Sequence, residues 1–413
     1  MPPLSKLTVF FLFLGLSINL FAQDDNLRSQ SINIYIDCED CDMDYIRQEV
    51  SFVNYVREPK EADLHILVTS QTTGAGGKKT SLYFIGQKEY KDKNDTLIFN
   101  CSPDDTDDIQ REEFVKTLKV GLIQFVQNTP IAQKIEINYS KTEQEEEVID
   151  KWNGWVFSVE LAGYINADNN YSNFQLNTVA TADKITEKFK TETYLSYYYS
   201  ESNYDYIDYS FNSVNTSKYA GNMTVFSLND HWSAGISTEL RSSSYSNLNF
   251  RASVLPAIEY NLFTYDESTR KQVRIGYFIG PEQNYYVDTT IYNKMDEFLF
   301  AHSLGISSEF VQKWGSISLY GTYSNYLHDF SLNRININSM ANIRICKGLE
   351  LSLYFGYTIL HNQIALTKGN ATPEELLLQQ RELKTDYSYY GNIGLTYTFG
   401  NLYNNVVNPR FGN

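Results

Sequence analysis

Cys38 and Cys41 are spaced C-x-x-C, after an apolar run and before a stretch of helical periodicity. A C-x-x-C between a strand and a helix is the setting of a dithiol redox site. The neighbours oppose that chemistry, because Glu39, Asp40, Asp42 and Asp44 raise a thiol's pKa and suppress the nucleophilic thiolate. The pair therefore reads as a structural disulfide, either Cys38–Cys41 or one that includes Cys101. Zinc would need a second Cys or His pair at ligand spacing, and none accompanies it. The acidic run 37–44 matches no EF-hand loop and reads as solvated surface. His302-Ser303 raises a hydrolase question, since a Ser–His pair on adjacent strands could make a nucleophile. Alternation places His302 with Phe300 and Leu304 and turns Ser303 the other way. Neither G-x-S-x-G nor H-E-x-x-H occurs. The expectation is a non-enzymatic protein with no cofactor and no metal.

The remaining side chains with chemical potential are charges spread along β-patterned segments. The acids are Glu160, Glu192, Glu239, Glu259, Glu309 and Glu350; the bases are Lys190, Arg241, Arg251, Arg274, Arg334 and Arg344. All occupy the polar phase of their segments, opposite the apolar phase. The clearest case is Leu349–Ile359, where Leu349, Leu351, Leu353, Phe355, Tyr357 and Ile359 share one face. Side chains on a strand alternate with period two, so such a sheet is greasy on one side and polar on the other. Lipid is the expected cover for the greasy side, and closed antiparallel barrels are the sheets that satisfy their backbone groups inside a bilayer. A base on the lipid face near the midplane would cost about 2–4 kcal/mol, which agrees with the phase of these charges. Six acids facing six bases predict pairing across neighbouring strands and a narrow or closed lumen, because ion-selective constrictions show an excess of one sign.

Twelve strands are predicted after the pattern begins, over 154–166, 172–185, 188–200, 211–228, 230–243, 247–265, 270–280, 296–312, 314–328, 330–346, 348–361 and 386–400. Short connections alternate with long ones, as in barrels with short periplasmic turns and long external loops. That places the segment 32–140 and the tail 401–413 in the periplasm. Inside the last external loop, Thr372, Pro373 and Glu375 make a capping box for a short helix. Residues 32–140 read as a mixed α/β domain, with strands near 31–36, 52–57, 64–72, 80–87 and 96–100 and helices near 43–50 and 107–127. The acidic linker 141–151 is expected to hold this domain in solvent, away from the barrel at 152–400.

Composition agrees. Aromatics make up 15% of the 413 residues, with 33 Tyr, and such rings form the interfacial girdles of barrels. The net charge of −16 argues against a nucleic-acid partner. Residues 1–22, with Lys6, an apolar run to Leu20 and the end Leu20-Phe-Ala22, read as an export signal.

The Phe-Ala-Gln end of that signal, the Tyr-rich strands, the closing strand Tyr389–Gly400 and the tail Leu402–Phe411 resemble outer-membrane β-barrel proteins of the Bacteroidota. The resemblance implies outer-membrane lipid and the barrel-assembly machinery as partners, with Phe399 as the terminal aromatic of the assembly signal. Glu61–Thr69 followed by Gly76–Phe84 is similar to the amino-terminal domain of TolB-like periplasmic proteins, which implies periplasmic protein contacts. Two roles follow as expectations: a barrel with a periplasmic interaction domain in envelope organisation or assembly, and a narrow channel for small polar solutes.

Overall fold

Alternation and helical periodicity divide the chain into two sheets of different kinds. The computed structural model describes residues 31–74, 76–138, 151–206, 209–369 and 380–401, with Tyr403, Asn405, Val407 and Arg410. The export signal, the linker apart from Lys151, and the helix expected from Thr372 lie outside the described residues.

The first sheet has the order β2-β1-β3-β4-β5, built from β1 (Asn33–Asp37), β2 (Asn54–Tyr55), β3 (Leu64–Thr72), β4 (Lys78–Gly86) and β5 (Asn94–Cys101). β1 runs parallel to β2 and β3, and the β3-β4-β5 edge is antiparallel. Helix α1 (Met43–Glu49) starts where the Asp42 carboxylate accepts the Tyr45 amide at 2.9 Å. Helix α2 (Asp107–Val126) is capped by Thr106 and carries Asp107 and Asp108 in its first turn, where negative charge meets the positive end of the helix dipole. Its apolar stripe, Phe114, Leu118, Leu122 and Phe125, packs on Ile34, Leu64, Ile66, Leu82 and Phe84 of the sheet. Gly121 lets the helix ride close, since a β-carbon there would sit 2.0 Å from the Phe84 ring.

The second sheet contains β6 (Trp155–Ala167), β7 (Tyr171–Ile185), β8 (Phe189–Tyr206), β9 (Tyr209–Ser227), β10 (Trp232–Ser243), β11 (Leu248–Asn261), β12 (Lys271–Tyr286), β13 (Asp296–Gln312), β14 (Gly315–Tyr326), β15 (Asp329–Cys346), β16 (Leu349–Leu360) and β17 (Tyr387–Tyr397). Each strand pairs antiparallel with its sequence neighbours, giving a 12-stranded sheet in simple chain order. Among the described residues β6 and β17 do not pair with each other, so the sheet is open along one seam. The lengths of β8 and β12 differ from expectation. Residues 201–206 and 281–286 are strand where loops were expected. The β11–β12 pairing skips Val254–Pro256 opposite Ile279–Pro281, where two prolines lack the N–H that a ladder needs.

The sheet is rolled. Flat, twelve strands at about 4.8 Å spacing would span about 50 Å, while the first domain, with a radius of gyration near 13 Å expected for about 100 residues, is only about 35 Å across. Yet the first domain touches both margins. Its β3–β4 turn reaches β6 and β7, where a β-carbon on Gly74 would lie 2.5 Å from the Ile185 carbonyl and one on Gly76 would lie 3.2 Å from Val156. Its β2 edge takes the segment after β17, through the Val56–Tyr403 bridge and an Asn405 side chain that accepts the Tyr55 amide at 2.6 Å. No helix among the described residues is long and apolar enough to cross a membrane.

Leu118 is fully buried between α2 and the sheet. The expected result of Leu118→Ala is a loss of about 2–5 kcal/mol in domain stability, read as faster amide exchange in α2 with unchanged exchange in β13–β16.

Candidate functional site

The registers place the charged residues. Cross-strand partners share a face, so the face can be followed through Glu160↔Val179, Val179↔Ser196, Glu192↔Met223, Met223↔Ser237, Glu239↔Ser253, Glu259↔Gly276, Arg274↔Ser307, Ser307↔Tyr320, Tyr320↔Asn338 and Arg344↔Glu350. By alternation Lys190, Arg241, Arg251, Glu309 and Arg334 lie on that face too. The opposite face carries Phe157, Val159 and Leu161 on β6, Phe298, Phe300 and Leu304 on β13, and Ile393 and Leu395 on β17, all exposed.

The charged face is the concave one, because both covers of the roll touch it. At the short-turn end the first domain sits on it and encloses a cavity of about 1080 Å³, lined from the domain by Asp37 and Lys78 and from the sheet by Glu309, Ser318, Asn342 and Glu350. At the other end residues 361–369 fold inward. Ile364 packs against Leu299 and Tyr326 of the concave face. Asn247, whose φ of 53° suits Asn in the left-handed region, donates to the carbonyls of Asp288 and Ala365 at 2.9 and 2.8 Å.

Pairing among the charges differs from expectation. Of the twelve predicted residues, only Lys190 and Glu192 form an ion pair with each other among the described residues, at 2.9 Å and along one strand. Arg241 stands directly opposite Arg251, a like-charge register. Arg251 turns instead to Glu282 at 3.4 Å and Asn284 at 2.7 Å. Glu309 accepts from Gln272 at 2.6 Å. The Arg274 Nε is buried and has no hydrogen-bond partner among the described residues. Equal numbers of each sign in a sequence do not place opposite charges in register.

Glu282 was missed because the seventh strand was expected to stop at Gly280. The signal was present, since Gly280, Glu282 and Asn284 continue the inward phase past Pro281. Glu297, which bonds the Tyr286 hydroxyl, lies on the same face and was passed over within a correctly placed strand.

The domain's position is the main correction. The acidic linker was expected to hold it away, but the domain docks on the sheet. Arg344 at the end of β15 donates to both Asp37 carboxylate oxygens, at 2.8 and 3.0 Å, and bonds the Tyr35 hydroxyl. Lys347 meets Glu61 at 2.7 Å. Gln71 donates to Ser268 at 3.2 Å, and Tyr83 and Thr269 share a bond of 2.8 Å. The Asp37 carboxyl would be raised by burial, but hydrogen bonds from His65 at 3.1 Å and from Arg344 outweigh this and hold it below its ordinary 3.8. Burial pushes the Tyr35 phenol up to about 12. Complementary charge placed in three dimensions outweighs a solvent preference inferred from local charge density.

The cysteines resolve to a Cys38–Cys41 disulfide, with Cys101 free and buried and Cys346 free and exposed. The acids around it have local partners: Asp42 caps α1 and meets Arg111 at 3.4 Å, and Asp44 meets Arg47 at 3.0 Å. His302 lies on the convex face among Tyr277, Tyr323 and Phe330, while Ser303 faces inward. The structure does not bring them together. Among the described residues no group of three or more His, Cys, Asp or Glu could hold a metal ion.

No protein-family model and no curated protein matches the sequence. Among solved structures, the NanC porin aligns with 58% of this chain and 99% of its own, at 10% identity and a TM-score of 0.28. A score that low fixes no shared topology.

Docking should follow the Asp37 charge. Of the two groups that lower its pKa, His65 stays with the domain and only Arg344 belongs to docking, so the docking contribution is present while Asp37 is ionised and is lost as pH falls through the lowered value. Energy transfer between dyes on the domain and the sheet is expected to hold steady from neutral pH down to about 5 and to fall below about 4, the Asp range.

Proposed function

We propose that this protein is an integral outer-membrane β-barrel that passes small polar solutes through its charged interior, with the N-terminal domain seated over the periplasmic mouth. The observation that carries the reading is the two-faced sheet: an exposed apolar convex face with the predicted charges gathered on the concave one. Water would not tolerate so wide an apolar surface without a partner, whereas hydrocarbon requires it.

The same solvent decides the seam. In a bilayer each unpaired N–H or C=O costs several kcal/mol, so β6 and β17 must find partners, and closing on each other is the shortest route. The domain already holds both margins of the seam at one end. An even strand number returns both ends of the barrel to one side. The short turns and the domain then face the periplasm, the long loops face outward, and entry into the membrane falls to the barrel-assembly machinery. The charges on the concave face, largely unpaired with one another, give polar solutes a wet path that an interlocked network would block.

A second reading has its own support. The β2 edge of the domain is occupied by the tail, but β5 is an unpaired edge on which Ile98 is 51% exposed. Such an edge suits a periplasmic protein that adds a strand, as an envelope-organising role would need. Crosslinking from β5 positions in cells tests that role, and recovery of no specific periplasmic protein contradicts it.

The channel reading is tested by planar-bilayer recording of purified full-length protein. Small conductance steps that change in size with Arg334→Gln are expected. A barrel that stays silent, even after Arg334→Gln and Arg344→Gln, contradicts it.

A further inference from the structure

Arg344 has two carboxylates to choose from. It stands directly opposite Glu350 in the β15–β16 register, at the separation where cross-strand charges pair. In the structure its guanidinium leaves that partner and takes Asp37 of the docked domain with both terminal nitrogens, lying 5.0 Å over the Tyr35 ring. Glu350 lines the same cavity as Asp37 and Arg344. Asp37 also keeps a partner within its own domain, because His65 Nε2 stands 3.1 Å away while Arg344 is bound and moves with the domain. Each half of the contact can therefore satisfy itself when the domain leaves, and neither side is left with a buried, uncompensated charge. Among the described residues the other charged links at this interface, Lys347–Glu61 and the bond from Arg57 to the Asn401 carbonyl, sit at the exposed rim, where charge pairs contribute little, and the neutral bonds Gln71–Ser268, Tyr83–Thr269 and Asn405–Tyr55 involve neither carboxylate.

We infer that Arg344 is a two-position latch: on Asp37 it holds the N-terminal domain across the mouth of the sheet, and on Glu350 it frees the domain and opens that mouth. A bistable contact of this kind lets a small input shift a population, because the two states differ by one exchange of partner. The opening rests on the channel reading above, while the latch itself is a statement about docking. Asp37 and Glu350 compete for one guanidinium, so removing either must move docking in opposite directions. A contact that only adds stability would not respond in that way.

The experiment uses the full chain in lipid vesicles with Cys346→Ser, and a short bis-maleimide joining Gln71→Cys to Ser268→Cys, positions whose native side chains touch at 3.2 Å. Asp37→Asn is expected to lower the crosslink yield at least threefold and to raise channel open probability. Glu350→Gln is expected to raise the yield and lower open probability. In an Arg344→Gln background neither carboxylate variant should have a further effect. Heat-shifted gel mobility establishes that each barrel is folded. The latch is overturned if the two carboxylate variants shift the crosslink in the same direction, or if neither shifts it. If the crosslink responds as stated while no variant conducts, the channel reading fails and the docking latch stands.

Discussion

Every backbone amide in contact with hydrocarbon must be bonded to another part of the chain, and every side chain there must be apolar. On the membrane reading proposed above, most features of the larger sheet follow from that pair of demands. Strands in simple chain order keep each ladder local. Period-two alternation then separates Leu349, Leu351 and Leu353 from Glu350, Ser352 and Tyr354, and it places the twelve predicted charges on the concave face, while Lys218 and Glu201 take the convex phase. The same demand would make β6 and β17, the two unpaired margins of the sheet among the described residues, seek partners.

The two ends of the roll answer a different need. A charged interior open at both mouths would be a wide polar passage. Here one mouth is covered by a folded domain and the other by residues 361–369, with Ile364 inserted against Leu299 and Tyr326. The two covers are held differently. The inward loop is fixed by neutral hydrogen bonds through Asn247 and by apolar packing. The domain is held by neutral bonds such as Tyr83–Thr269 together with charge, chiefly Asp37 on Arg344, whose strength varies with protonation and with competing partners. Conditions that change the one should leave the other in place.

The strands were legible in the sequence wherever an apolar face alternates with a polar one. The eighth predicted strand, 296–312, coincides with β13, and the others differ by a few residues at their ends. The main failures lie where strand and hydrocarbon part company. Residues 201–205 continue β8 with Glu201, Asn203 and Asp205 in the phase that was apolar earlier in the strand, a stretch whose ladder persists after the apolar alternation has stopped. Glu282 was lost for the same reason beyond Pro281. The docking was illegible because it depends on residues hundreds of positions apart: nothing local distinguishes Asp37 from the solvated acids that follow it, or Arg344 from Arg334. The disulfide was legible as a short list of alternatives, which geometry reduced to Cys38–Cys41.

The account stands on which solvent meets the convex face, and site-directed spin labelling along β16 in lipid bilayers measures that directly. Labels at Leu351, Leu353, Phe355 and Tyr357 should show high oxygen and low nickel-chelate accessibility, and labels at Ser352, Tyr354 and Thr358 the reverse, with a period of two residues. Accessibility without that period, or a convex face open to the chelate, would mean that water or another protein covers the apolar surface, and the membrane-spanning barrel would be wrong.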